Sequence, residues 1–117
     1  MTRVLVCGDR RWSDRDVVER ELRHHGATEV IHGGAKGADT CADDVAYYKL
    51  NLPVRVFLPD WGVYGRAAGP IRNQLMLTEG MPDLVLAFHT NIMKSKGTRD
   101  MVRRAEKAGI PFYIYEG

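Results

Sequence analysis

Seventeen lysines and arginines against fifteen aspartates and glutamates leave a formal charge of +2 on 117 residues, of which 44% are hydrophobic and 27% charged. That balance is ordinary for one globular unit able to bury a core without disulfides or a structural metal, so residues 1–117 are expected to form one domain. No apolar run approaches the ~20 residues of a membrane helix, and so weak a net charge is no polyanion-binding signature.

Taken in chain order, Val4-Leu5-Val6-Cys7 is a nearly continuous apolar run, the pattern of a strand buried on both faces. It turns polar at Gly8-Asp9-Arg10, too soon for the core of a signal peptide. Ser13 precedes a helical stretch to about His25, with Asp16 three residues on as a weak capping box and Gly26 as its terminator. Val30-Ile31 is the second strand. Ala38, Cys41, Ala42, Val45 and Ala46 fall at i, i+3, i+4, i+7 and i+8, which predicts the second helix. Val54-Arg55-Val56-Phe57 is the third strand, and residues 59–69 form a long irregular loop of the kind that usually carries function. Pro70 suits the first turn of a helix over residues 71–78. Leu84-Val85-Leu86-Ala87-Phe88 is again continuously apolar. Met101, Val102, Ala105 and Ala108 stripe a last helix, with Arg99, Arg103, Arg104 and Lys107 mostly on its wet side and Gly109 at its end. Phe112-Tyr113-Ile114-Tyr115 closes the series; a sheet-edge position for it would make it a candidate homodimer contact.

Five strands therefore alternate with four helices, which predicts an α/β fold with an open, mainly parallel five-stranded sheet and right-handed crossovers. Cys7 and Cys41 lie far apart with no Cys-x-x-Cys, so neither a zinc cage nor a disulfide is expected, and a reducing, cytoplasmic setting fits. Both read as small core residues. The histidines show no metal-ligand spacing; no metal and no cofactor is expected.

In an open parallel sheet, ligands bind beyond the carboxyl ends of the strands. Four loops lie there: 8–12, 33–39, 59–69 and 89–98. The connectors at the opposite end, around Gly26 and residues 51–53, 80–82 and 109–111, read as plain turns. Gly33-Gly34-Ala35-Lys36-Gly37-Ala38-Asp39 leaves a strand and opens a helix, where free amides and the helix dipole favour an anion and Lys36 adds a point charge. The bland alternative is a tight turn with Asp39 as N-cap. No Walker lysine-serine pair follows, and no G-x-G-x-x-G stands after the first strand, which argues against a conventional kinase or NAD dehydrogenase. Lys94-Ser95-Lys96-Gly97-Thr98 is either a second anion pocket or a helix start with Thr98 as cap. Arg72 and Asn73, on a first helical turn, would offer a bidentate phosphate contact and an amide, or simply face solvent. Asp9, Asp39 and Asp60 are the carboxylates on this side, candidate ribose acceptors or general bases, with caps and loop braces as the default. Trp12, Trp61 and Tyr64 would stack on a base, or more ordinarily close the edge of the core.

These pieces together resemble the Smf/DprA–LOG (SLOG) superfamily, specifically its YspA-related branch of small stand-alone domains. The likeness covers nearly the whole chain. It runs from Gly8 and Arg10 through His32-Gly33-Gly34-Ala35-Lys36-Gly37-Ala38-Asp39, Asp60-Trp61 and Tyr64-Gly65-Arg66-Ala67-Ala68-Gly69-Pro70-Ile71-Arg72-Asn73 with Met76-Leu77. It ends with Pro82-Asp83-Leu84-Val85-Leu86-Ala87-Phe88 and Gly97-Thr98. The resemblance implies a Rossmann-like sheet of order 3-2-1-4-5 with helices on both faces, and a nucleotide-derived ligand at the glycine-rich loops. LOG phosphoribohydrolases carry Pro-Gly-Gly-x-Gly-Thr-x-x-Glu; here the stretch from Met93 to Met101 lacks the glycine pair and places Met101 at the glutamate, which argues against that activity. Asp100, a 100° turn away on a helix, is a poor substitute. DprA proteins bind single-stranded DNA but use regions absent from this chain.

Three functions are therefore expected in descending order. The first is binding of a nucleotide or nucleotide-derived phosphorylated small molecule, as a sensor or sequestering protein, at Gly8, Asp9, Arg10, Gly33, Gly34, Ala35, Lys36, Gly37, Asp39, Arg72, Asn73, Lys96, Gly97 and Thr98. The second is a nucleotide-processing hydrolase with Asp39 or Asp9 as catalytic base. The third is single-stranded nucleic-acid binding. No membrane partner is expected.

Overall fold

The computed structural model describes residues 1–116. Five strands form one parallel sheet: β1 (Arg3–Gly8), β2 (Glu29–His32), β3 (Val54–Val56), β4 (Leu84–Phe88) and β5 (Phe112–Tyr115), in spatial order β3-β2-β1-β4-β5. The order expected from the sequence is the order observed. The chain adds β2 and β3 on one side of β1 and β4 and β5 on the other, and the parallel register of β1 with β4 runs from Val4 opposite Leu84 to Gly8 opposite Phe88. That change of side is the switch point where crevices open in such sheets.

Helices cover both faces because the central strands are apolar on both. Val4, Val6, Val30, Leu86 and Phe88 point to one side, where Val18 and Leu22 of α1 (Arg15–His24) and Cys41, Ala42 and Val45 of α2 (Ala38–Val45) meet them. Leu5, Ile31 and Val85 point to the other, against Met76 and Leu77 of α4 (Ala68–Thr78) and Met101 and Ala105 of α5 (Lys96–Lys107). All five residues of β4 are buried. Fully burying a side chain such as Leu or Val contributes about 1.5–3 kcal/mol, so these two layers dominate stability. Trp12 belongs to the first layer, tilted against Phe88 with ring centroids 5.5 Å apart, which settles it as a core residue.

Several local expectations shift. Helix α1 is capped by Asp14, not Ser13: the Asp14 carboxylate accepts the Val17 N–H at 3.1 Å, and the Trp12 indole N–H fixes the Asp14 carbonyl at 3.0 Å. Helix α5 is capped by Ser95, whose Oγ accepts the Thr98 N–H at 3.2 Å; Thr98 is the third residue of the helix rather than its cap. Helix α2 runs on through a π-helical turn, Ala46–Leu50, and stops at Asn51 with φ 53°. The stretch expected to be irregular is largely helical: α3 (Trp61–Tyr64), a 3-10 turn (Gly65–Ala67), and then α4, which begins three residues earlier than residue 71. Strand β5 is a sheet edge with Tyr113 and Ile114 exposed. No helix among the described residues is long and apolar enough to cross a membrane.

Candidate functional site

A cleft of about 640 Å³ opens at the carboxyl ends of β1, β2 and β3, walled by the start of α4 and the N-terminus of α5. Of the residues expected to bind ligand, Gly8, Arg10, Gly33, Gly34, Ala35, Lys36, Asp39, Arg72, Asn73, Gly97 and Thr98 line it. Asp9, Gly37 and Lys96 do not. The Asp9 carboxylate turns back to accept the Arg11 N–H at 2.9 Å and lies 4.0 Å from the His89 ring, while its carbonyl accepts the first amide of α2, Ala38 N–H, at 3.0 Å. Asp9 therefore joins the ends of β1 and α2. Gly37 must be glycine for the same closeness: its φ is 80°, and a Cβ would strike the Asp9 carbonyl.

The glycine-rich loop differs from the expected open cradle. Asp39 is the second residue of α2, not its cap, and its Oδ2 accepts the N–H groups of Gly33 at 3.0 Å and Ala35 at 3.2 Å. The Gly34 N–H donates to His32 Nδ1 at 2.9 Å, which leaves His32 Nε2 carrying the proton for Asp43 Oδ1 at 2.8 Å. The protein's own carboxylate thus takes two of the amides that a phosphate was expected to use. Among the described residues, the backbone N–H groups of Lys36 and Gly37 at the loop tip have no hydrogen-bond partner.

Arg72 completes the clamp. Its Nη1 donates to the Gly33 carbonyl at 2.6 Å and the Phe57 carbonyl at 3.4 Å, and its Nε to Asn73 Oδ1 at 3.1 Å. The Gly33 peptide is therefore held by a carboxylate at its N–H and by a guanidinium at its C=O. The guanidinium comes so close that any side chain at Gly33 would overlap it. Nη2 of Arg72 has no protein partner among the described residues. Asn73 is spent on the fold: its amide donates to the Gly97 carbonyl at 3.3 Å and to Asp100 Oδ2 at 2.9 Å, tying α4 to α5.

Burial sets the electrostatics. It raises the Asp39 carboxyl above its ordinary value, against the opposing pull of the Ala35 and Gly33 amides, His32 and Arg72. It lowers the Arg72 guanidinium, with Asp39 acting the other way. The Cys7 thiol, half-buried on the cleft lining, is pushed up by desolvation first and then by Asp39, which disfavours its thiolate. Met101 is 1% exposed in the core, and Asp100 is occupied by Asn73 and Arg104, so neither offers a carboxylate to the cleft.

Leu58 and Met76, which also line the cleft, were not among the residues expected to bind ligand, and Pro59 and Ser95 stood in candidate loops without a role of their own. Leu58 had a legible signal, as an apolar residue directly beyond a strand; Met76 becomes a neighbour only through the packing of α4 on the sheet. Trp61, for which closing the edge of the core was the more ordinary expectation, lines the cleft and is 59% exposed.

The model of the YspA, cpYpsA-related SLOG family matches residues 2–64, which contain β1, the glycine-rich loop and Trp61. The chain is also 41% identical over 120 residues to the Gene 61 protein of Mycobacterium phage D29, covering 95% of this chain and 94% of that protein. No solved structure matches significantly. The family match over more than half the chain, the full-length phage relative and the parallel sheet of order 3-2-1-4-5 agree: this chain belongs to the YspA, cpYpsA-related SLOG family.

Proposed function

We propose that this protein binds a nucleotide or a nucleotide-derived phosphorylated small molecule in the cleft between the glycine-rich loop and the N-terminus of α5. The charge of the wall carries the reading. Arg10, Lys36 and Arg72 face the cleft against one carboxylate, Asp39, whose Oδ2 is already held by two N–H groups. The unpartnered amide of Lys36 and the first turn of α5, reached at Ser95, Gly97 and Thr98, add fixed dipoles of the same sign. The volume lies within the ~300–1,000 Å³ usual for small-molecule sites. The phosphate seat moves outward from the loop's interior to its tip, because Asp39 fills the interior.

Lys36 is the cation to remove, since it is exposed and has no hydrogen-bond partner to lose among the described residues. Lys36→Ala is expected to weaken nucleotide binding by about tenfold or more with an unchanged melting temperature, because a hydrogen bond to a charged group is worth roughly 1.5–3 kcal/mol. Calorimetry showing undiminished affinity would take Lys36 out of the site.

A second reading rests on Asp39, the cleft's carboxylate, whose burial-raised protonation suits a general acid or base in a nucleotide hydrolase. Chromatography of nucleotides incubated with the protein separates the two: free base or ribose phosphate supports turnover, intact nucleotide supports binding alone.

A further inference from the structure

We propose that Trp61 is the platform on which the ligand's base stacks, so that the cleft selects an aromatic, base-bearing phosphate over a sugar phosphate. This rests on the reading of the cleft as a nucleotide site. Folding gives no reason for an indole here. Trp12 is buried and earns its place against Phe88, whereas Trp61 is 59% exposed, and helix α3, which carries it, buries none of its four residues. The side chain is nonetheless placed. Asp60 caps α3, its Oδ1 accepting the Val63 N–H at 3.1 Å, which fixes the turn that presents Trp61. The far edge of the indole lies 3.7 Å from where a Cβ on Gly69 would stand, so it rests against the bare first turn of α4.

The cleft lining therefore carries two kinds of chemistry. Leu58, Pro59 and Trp61 are its apolar and aromatic members, with Leu58 itself 72% exposed and set against Gly34; Arg10 and Lys36 carry charge. Inorganic phosphate would use only the charge. A ribose phosphate would leave the aromatic members wet. A nucleoside monophosphate satisfies both, and a large planar ring covers more of an indole face than a small one, so purine nucleotides bind more tightly than pyrimidine nucleotides.

The test is calorimetry of the full chain with the four ribonucleoside monophosphates, ribose 5-phosphate and inorganic phosphate, on wild type, Trp61→Phe and Trp61→Ala. The expected result is purine monophosphates binding about tenfold or more tighter than ribose 5-phosphate, that margin lost in Trp61→Ala and largely kept in Trp61→Phe. Ribose 5-phosphate affinity should be the same in all three proteins. Tryptophan fluorescence should be quenched by nucleotide in wild type and not in Trp61→Phe, since the remaining indole, Trp12, is buried. A nucleotide margin that survives Trp61→Ala overturns the stacking role while leaving the phosphate site standing. No measurable binding of any of the six compounds to wild type overturns both.

Discussion

Replacing Arg72 with methionine, which keeps an apolar stem of similar bulk but removes the guanidinium and its charge, isolates the clamp on Gly33. The 2.6 Å bond to the Gly33 carbonyl and the 3.1 Å bond to Asn73 are lost; the 3.4 Å approach to Phe57 is marginal and adds little. Bonds to a charged donor contribute roughly 1.5–3 kcal/mol each, and half-burial of the guanidinium lets solvent offset part of that, so a loss of about 3 kcal/mol is expected. In a domain of this size that lowers the melting temperature by about 12 °C. The pH dependence distinguishes the clamp from simple packing. Burial already raises the Asp39 carboxyl in the folded state, so the stability this group contributes is whole below its unfolded value near pH ~4 and declines as pH climbs through the folded value. Arg72 holds that folded value down, and without it the decline extends to higher pH. The deficit of Arg72→Met should therefore be larger at pH 7 than at pH 4. Adding Asp39→Asn, which keeps an acceptor for Gly33 and Ala35 but no charge, should remove that pH dependence. Urea denaturation at both pH values measures it; equal deficits at pH 4 and pH 7 would refute the coupling of Asp39 to Arg72.

Ser95→Ala should cost about 1 kcal/mol and lower the melting temperature by about 4 °C, because Ser95 caps α5, whereas Thr98→Val should leave it nearly unchanged; equal losses would return the cap to Thr98. In native protein at pH 8, Cys41, enclosed in the core, should label with iodoacetamide only after denaturant, and Cys7, half-buried with its thiolate disfavoured, should label far more slowly than in the unfolded chain. Mass spectrometry reads the adducts; labelling of Cys41 within minutes in buffer would contradict its burial, and equal rates for Cys7 in native and unfolded protein would contradict the raised thiol.

Where the chain forms strands and helices follows from spacing along it. The continuous apolar runs at β1 and β4 demand two covered faces, and the Ala38, Cys41, Ala42, Val45 and Ala46 stripe demands one, so the doubly wound sheet and the end of it at which the cleft opens were readable before folding was considered. Partners could not be read that way. Asp39 was legible as a cap or a base; it is not the cap, and its Oδ2 accepts the amides that fill the interior of its own loop, while Arg72, legible as a phosphate ligand, spends Nη1 on a carbonyl 39 residues away. Asn73 was assigned to the ligand and is consumed in joining α4 to α5. Apolar periodicity is a property of neighbours in sequence, recorded residue by residue. A hydrogen bond is satisfied by whichever donor or acceptor the packing brings within about 3 Å, and that choice is made only when the sheet and its two helical layers have closed around the cleft.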